Sequence, residues 1–470
     1  MILVRFEHLE GNCCASFVAL ATGLEIISCR PLTRLWPTVS YNIRSFLPKP
    51  FQLAMSASPS YTIQQGAEEI FRSVLLEHDS LGLPEEVKEA AARTTFSNDA
   101  ISDPYFPTCL KFSESSAALW ALVATYGNAI TKTRYDLEQN VVINSDAASL
   151  FLLSSALVRV NGKTLQDPEI ASRYMRYDRG GMMQPSRRLC TNIYPTKDGR
   201  WFHLHGSMDA TKTLTMLGLQ DGDFDPKDEE KIIQKYSDRV SEFDSDWLDL
   251  EANEHYRQAG TICLKPEEYL ESEQGRAVGR DPLFLLQEQA HTSLPPCPWP
   301  QMTSKSYRPL EGIKMIDISR VIAAPTIAKL AALFGATVIR ISCDTQPDMG
   351  PLLVDGNLGK RDVTLNLKTD QGRKVLEDLL VDADVLLDGY RPGALDRLGF
   401  GPAYAFEVAK RRGKGLVYIQ ENCYGHKGPM AHRSGWQQIS DCVTGVSWLM
   451  GEFLGLNEPV VPLIPNSDYQ

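Results

Sequence analysis

Residues Ile313–Ser342 read IKMIDISRVIAAPTIAKLAALFGATVIRIS. Two short runs rich in apolar and β-branched residues, IKMIDIS and ATVIRIS, flank PTIAKLAALFG, which has a proline near its start and Gly335 at its end. Proline suits a first helical turn, where its missing N–H has no partner to lose, and glycine suits the residue after the last turn. The stretch therefore predicts strand, helix, strand. Downstream the alternation continues: VTLNL, the helical KTDQGRKVLEDLLVDA with Thr369 and Asp370 at its start, DVLLD, a further helix, and GLVYIQ. Apolar strands alternating with such helices make βαβ units and a parallel sheet covered on both faces. A ligand of such a sheet sits beyond the carboxyl ends of its strands.

Four loops fall at or beyond those ends: SRVIAAP (Ser319–Pro325), GKRDVTLNLK (Gly359–Lys368), GYRPGALDRLG (Gly389–Gly399) and YGHKGP (Tyr424–Pro429). They bring Arg320, Lys360, Arg361, Lys368, Arg391 and Arg397 toward one sheet edge. Such a set suits a ligand with several phosphates, because guanidinium and ammonium groups make charge-assisted hydrogen bonds to phosphate oxygens. For any single residue, a plain surface charge is the competing reading. No GxGxxG follows the first strand, and neither GxxxxGK[ST] nor GxSxG occurs, so dinucleotide, P-loop and serine-hydrolase sites lack their signatures.

The whole chain of 470 residues exceeds one ordinary domain. With 43% apolar and 23% charged residues it has the composition of a globular protein, and a net charge of −11 gives no phosphate-neutralising surface for nucleic acid. No run of 18 apolar residues predicts a membrane span. The ten cysteines are scattered without a CxxC, which favours reduced thiols over a disulfide or zinc framework. The expected setting is cytoplasmic, with a mitochondrial alternative. Residues 1–54 raise that alternative: Ile26–Ala67 contains no acid but has Arg30, Arg34, Arg44 and Lys49. They read either as a presequence or as an extension ahead of a true start at Met55, and are expected to be disordered.

Residues 55–286 open with helical patterns (IQQGAEEIFRSVLLEH, LPEEVKEAAARTTF, SESSAALWALVATYGNAITKTR and Ala147–Val160). CTNIYP and RWFHLH then alternate around Lys197–Asp198–Gly199, a β-hairpin signal. His203 and His205 share one strand face; lacking a third ligand at useful spacing, they read as partly exposed strand residues and not as a metal site. Residues 287–308, rich in Pro, Ser and Thr, read as a linker, and 309–470 as a Rossmann-like large domain. The fold class is thus α/β, a parallel-sheet domain preceded by a smaller α+β domain.

The C-terminal stretches PLEGIKMIDISRVIAAP, LFGATVIRIS, GKRDVTLNLKTDQGR, ADVLLDGYRPGALDRLGFG and CYGHKGP resemble, in order and spacing, the large domain of the family III CoA-transferases. NIYPTKDGRWFHLHGSMDATKTLTMLGL and YRQAGTICLKPEEYLESEQGR resemble the family's small domain. Small half before large half resembles double-length fungal members, of which this chain looks like a C-terminally shortened form. The resemblance implies transfer of CoA between an acyl-CoA and a small carboxylic acid, without a metal, and interlocked homodimers. It implies that Asp468 is the catalytic carboxylate, forming an aspartyl-CoA thioester by nucleophilic catalysis. It places Arg320, Val321, Ala323, Leu365, Lys368, Gly389, Tyr390, Arg391, Arg397, Tyr424 and Gly425 against coenzyme A. Three departures stand out: Cys343 where a basic residue is frequent, Trp436 where the family's racemases have a histidine, and no Gly-rich turn after Asp468 to hold it. An acyl-CoA racemase or epimerase and an inactive CoA-binding remnant are the alternatives.

Overall fold

The computed structural model describes residues 4–8, 15–16, 61–97, 106, 108–287, 294, 297–301, 306–462 and 464–470. Of the segment 1–54, only the backbones of two strands are described, β1 (Val4–His8) and β2 (Ala15–Ser16). The expectation of a presequence or extended start, Met55 included, otherwise lies outside the described residues.

The first layer is helical. Helix Ile63–Glu69 continues as a wider turn through Ile70–Leu75, capped by Thr62, whose hydroxyl accepts from the Gln65 amide while the Gln65 side-chain oxygen accepts from the Thr62 amide. Glu85–Ala91 leads into β3 (Thr94–Ser97), and the long helix Phe112–Tyr135 into β4 (Gln139–Asn144). β4 pairs with β3 in parallel and with β1 antiparallel. The single helix expected over Ala147–Val160 is instead two short ones, Ser145–Phe151 and Ser154–Leu157. Asn144 caps the first, its side chain accepting from the Ala147 amide, and Leu153 interrupts the run with a non-helical turn. The long helix is buried along most of its length, and at Gly127 a Cβ would stand 2.3 Å from the Phe334 ring. Only glycine lets this helix lie so close to the C-terminal half.

Next comes a three-stranded antiparallel sheet of β5 (Asn192–Pro195), β6 (Trp201–Leu204) and β7 (Gly260–Ile262). The Lys197–Gly199 turn closes the first two strands, with Thr196 donating to the Arg200 carbonyl at 2.9 Å. Helix Glu229–Val240 covers one side through Ile232, Tyr236 and Val240, which pack on Tyr194 and Phe202.

The C-terminal half is a five-stranded parallel sheet of β8 (Lys314–Ser319), β9 (Thr337–Ser342), β10 (Arg361–Thr364), β11 (Val385–Gly389) and β12 (Val417–Gln420). Its spatial order is β10-β9-β8-β11-β12, every pair parallel. Helices Ala323–Leu333, Asp370–Val381 and Pro402–Arg412 cross between strands. Thr369 caps the second as its position predicted, accepting from the Gly372 amide at 3.1 Å. Strand order reverses between β8 and β11, so the loops after these two strands part and leave a crevice. Of the linker 287–308, Pro300 and Arg308 meet the long helix: Arg134 donates to the Pro300 carbonyl at 3.2 Å, and Tyr135 to that of Arg308 at 2.7 Å.

Lys360 and Asp317 form an ion pair at 2.8 Å whose two side chains are both 0% exposed. The Lys360 ammonium also donates to the Pro325 carbonyl at 2.8 Å, and the Ser319 hydroxyl donates to Asp317. Lys360 was expected at the ligand-facing edge; it is instead buried beneath it, because Asp317 on the central strand needs a counter-charge. Lys360→Met is expected to destabilise the fold by about 3–5 kcal/mol by stranding a buried carboxylate, while Lys360→Met with Asp317→Leu recovers most of the loss. Urea unfolding of the single and double variants measures both.

Candidate functional site

A cavity of about 580 Å³ opens at the crevice between β8 and β11. Its lining draws on four loops distant in sequence: Ser207–Asp209, Arg320–Ala323, Gly389–Pro392 and Glu421–Cys423. Lys212, Gln258, residues 346–347 and 433–437, Ser440, Ser467 and Asp468 complete it. Of the residues expected at the site, Arg320, Val321, Ala323, Gly389, Tyr390, Arg391 and Asp468 line this one cavity.

Gly389 ends β11 where a Cβ would stand 2.4 Å from that of Ala324 and 2.7 Å from that of Ser319. Glycine there lets the strand end meet the start of helix Ala323–Leu333. Val321, at φ +82, is β-branched and strained in the left-handed region. Ser207 and Arg257, both at φ +51, are two further non-glycine residues in that region at the same cavity: Ser207 lines it, and the Arg257 carbonyl accepts from the lining Arg391 at 2.8 Å. Strain of this kind persists where surrounding contacts over-determine the backbone, and it concentrates at ligand sites.

The mouth is cationic. Arg320 donates to the Pro347 carbonyl at 2.9 Å and lies 4.9 Å above the Tyr390 ring. Partial desolvation, then the charges of Arg320, Arg257 and Arg397, hold the Arg391 guanidinium below its usual range. Among the described residues, none of these four arginines pairs with a carboxylate. Arg257 comes from the N-terminal half and was not anticipated; an arginine within the polar stretch EANEHYRQAG gives no sequence signal of where its loop will land.

Arg397 is exposed and contributes to this field without lining the cavity. Four other expected residues also stand outside the lining. Leu365 is buried in the sheet core with Ile316, Ile318 and Leu386, its side chain taken up by packing. Lys368 is exposed on the loop before Asp370–Val381. Tyr424 is buried against Ala259, Ile439 and Val443, and Gly425 turns beside Val278. These two follow the lining residues Glu421–Cys423 directly, and they brace that wall from behind.

Asp468 sits in the short helix Asn466–Tyr469. Its support among the described residues comes from elsewhere in the chain. Gln437 accepts, through its side-chain oxygen, from the Asp468 amide at 2.9 Å and the Ser467 hydroxyl at 2.7 Å. The Gln437 side-chain nitrogen donates to Asp441 at 2.8 Å. Tyr469 is anchored in the N-terminal helical core, its ring 5.4 Å from that of Phe151. The Asp468 carboxylate itself has no hydrogen-bond partner or cation among the described residues. Burial, then the charges of Glu421 and Asp441, push its carboxyl up to about 7. Asp441 is likewise pushed up to about 7 by burial, and Glu421 is raised by burial.

His203 and His205 are 0% and 4% exposed, not partly exposed as expected. β6 is the central strand, flanked by β5 and β7, and the segment around Trp436 packs on the histidines: the His205 ring stacks on Trp436 at 4.7 Å and on His203 at 5.7 Å. Burial holds His203 down to about 4 and His205 lower than usual, so both rings are neutral. Among the described residues no group of three or more His, Cys, Asp or Glu side chains could hold a metal ion, and no helix is long and apolar enough to cross a membrane.

Residues 310–469 match the model of CoA-transferase family III. An acetyl-coenzyme A transferase of Hypoxylon pulicicidum is 38% identical over 429 residues, covering 88% of this chain and 72% of that protein. An acyl-CoA transferase of Gibberella moniliformis is 34% identical over 78% of this chain, which spans 65% of its length. A solved CAIB/BAIF family protein from Brucella suis shares 28% identity over 34% of this chain and 45% of its own, with a TM-score of 0.29. The extent of the fungal match, together with the family match over the sheet that carries the cavity, shows that this chain belongs to CoA-transferase family III.

Proposed function

We propose that this protein transfers coenzyme A from an acyl-CoA to a free carboxylic acid, with Asp468 as nucleophile. The reading is carried by one cavity that joins an unpartnered carboxylate, Asp468, to a mouth of arginines that no carboxylate neutralises. The arginines suit the phosphates of the CoA moiety, with Arg320 and Arg391 nearest the cavity and Arg397 and Arg257 outside it. Tyr390, Val321, Ala323 and Gly389 form the wall past which the thioester arm runs. Leu365 and Lys368, and Tyr424 and Gly425, remain assigned by resemblance to the two ends of that ligand. The matched fungal relatives are named for acetyl-CoA and acyl-CoA transfer, which agrees with this chemistry.

In the proposed sequence a carboxylate oxygen of Asp468 attacks the thioester carbonyl carbon. The C–S bond breaks, its electron pair leaves on the CoA sulfur, and a mixed anhydride joins Asp468 to the acyl group. Thiolate attack on the Asp468 carbonyl carbon then breaks the bond to the acyl carboxylate, which departs as the free acid and leaves an aspartyl thioester. The acceptor carboxylate attacks that thioester, and the same two steps in reverse release a new acyl-CoA and restore the Asp468 carboxylate. Covalent division of the exchange replaces one difficult step by several easier ones. Gln437 positions the nucleophile by holding its backbone amide. A racemase would need a second base on the far side of the α-carbon; the indole of Trp436, stacked on a buried His205, does not provide one there.

Hydroxylamine added to the enzyme with acetyl-CoA should capture the activated acyl or aspartyl group as a hydroxamate, with release of free CoA. Asp468→Asn is expected to lower that yield by roughly 10³-fold or more while CoA still binds. Retained trapping in the variant would remove Asp468 from the role.

The pH dependence follows from the same carboxyl. The attacking form is the ionised one, so trapping should rise as pH passes about 7 and level off above it. A folded carboxyl raised above its ordinary value near 3.8 binds its proton more tightly than in the unfolded chain, so stability falls as pH rises from that value through about 7. Asp441→Asn removes one such group and one repelling charge. It should move the trapping midpoint to lower pH and raise the melting temperature at pH 8 more than at pH 5.

A further inference from the structure

Beside the main cavity lies a smaller pocket of about 180 Å³, lined by five of the chain's 12 methionines: Met175, Met182, Met183, Met208 and Met349. Met208 lines the main cavity as well. Asp178 fixes the loop that carries two of the five, its carboxylate accepting from the Met182 amide at 2.8 Å and the Met183 amide at 2.9 Å. Among the described residues two methionines are exposed, Met175 at 40% and Met183 at 46%, and both line this pocket. They are therefore open to small solutes from outside while packed against the pocket within. Met216 and Met315, by contrast, are buried in the cores.

The pocket is a joint between the two halves of the chain. The Asp348 amide donates to the Tyr177 carbonyl at 3.1 Å, and at Gly350 a Cβ would stand 2.4 Å from the Tyr174 carbonyl oxygen. One residue earlier, Pro347 lines the main cavity, and its carbonyl accepts from Arg320 at 2.9 Å. The joint thus bears directly on the cationic mouth. Thioethers suit such a gap because they are unbranched, polarizable and apolar. A sulfoxide is polar, and its oxygen needs a donor. The lining has no free side-chain donor: Asp178 and Asp348 are acceptors, and the Tyr174 hydroxyl donates to the Leu165 carbonyl at 2.7 Å. An S–O group held in this pocket would be left unpaired, which favours opening the joint.

We propose that Met175 and Met183 are a site of reversible oxidation by peroxides, and that their sulfoxides loosen this joint and weaken CoA binding at the mouth. In each oxidation the thioether sulfur attacks one oxygen of hydrogen peroxide. The O–O bond breaks, an S–O bond forms and water leaves, so the sulfur loses two electrons and the peroxide gains them. A methionine sulfoxide reductase reverses the step: two thiols become a disulfide and the sulfoxide oxygen leaves as water. CoA enters only as the ligand whose affinity is read, which rests on the CoA-transfer reading.

The full chain is treated with hydrogen peroxide, and mass spectrometry of its peptides locates the added oxygens. Sulfoxide is expected at Met175 and Met183 before Met216 and Met315. Calorimetry should then show CoA binding weakened about tenfold, and deuterium exchange of the peptide containing Asp348 should quicken by a similar factor. Both changes should be undone by methionine sulfoxide reductase with dithiothreitol, and not by dithiothreitol alone. A Met175→Leu, Met183→Leu double variant keeps the apolar packing without a sulfur and should bind CoA equally before and after peroxide. Unchanged CoA affinity and exchange in fully oxidised protein overturn the proposal. Recovery with dithiothreitol alone overturns it too, by assigning the loss to cysteines such as Cys343, and so does a loss that persists in the double variant. Should the variant fold poorly, the reductase arm on the unaltered protein still decides. If the untreated protein binds no CoA, the transfer reading falls, and the exchange at Asp348 tests the joint without it.

Discussion

The buried pair of Lys360 and Asp317 sits where three elements of the C-terminal half converge. Asp317 is on the central strand β8, Lys360 precedes β10, and the Lys360 ammonium also holds the Pro325 carbonyl in helix Ala323–Leu333. An ion pair without access to water is tolerated only when its remaining hydrogen bonds are met. Here Ser319 and Pro325 help to meet them. The consequence lies just above the pair. The loop Arg320–Ala323 leaves β8 from a strand end that cannot shift without exposing or stranding a charge, and this loop carries the strained Val321 into the cavity.

The second organising relation is between the two halves of the chain. Asp468 is held at its amide by Gln437, while the next residue, Tyr469, belongs to the core formed by Phe71, Ala117 and Phe151 far upstream. The position of Asp468 is therefore set jointly by the helical layer and by the segment after β12. The lining loop Ser207–Asp209 and Arg257 likewise come from the N-terminal half and meet loops of the C-terminal one at this cavity. In this arrangement neither half alone contains a complete cavity. The clustered carboxyls Glu421, Asp441 and Asp468 are a result of that closure: burial raises all three, and mutual repulsion adds to it for Asp468.

Much of this was legible locally. The strands β8, β9, β11 and β12, the helix between β8 and β9, the Thr369 cap and the Asp198–Gly199 turn follow from apolar runs and from residues with special backbone needs. The placement of Arg320, Gly389, Tyr390 and Arg391 at one crevice follows from the rule that a parallel sheet offers its strand ends. Less legible were the split of Ala147–Val160 into two helices, where Leu153 turns out of helical geometry, and the strand β4, whose pairing partners lie far away.

By itself, then, the sequence determined the order of strands and helices, the caps and turns, and which loops carry cations, because each depends on spacing within a few residues. The tertiary structure decided what each polar side chain faces. Lys360 meets Asp317 across 43 positions and Gln437 meets Asp468 across 31. His203 and His205 lie under Trp436, more than two hundred residues downstream. Burial and partner are properties of such distant encounters. They make one lysine a buried structural charge and another a cation facing a cavity, a difference that no local pattern encodes.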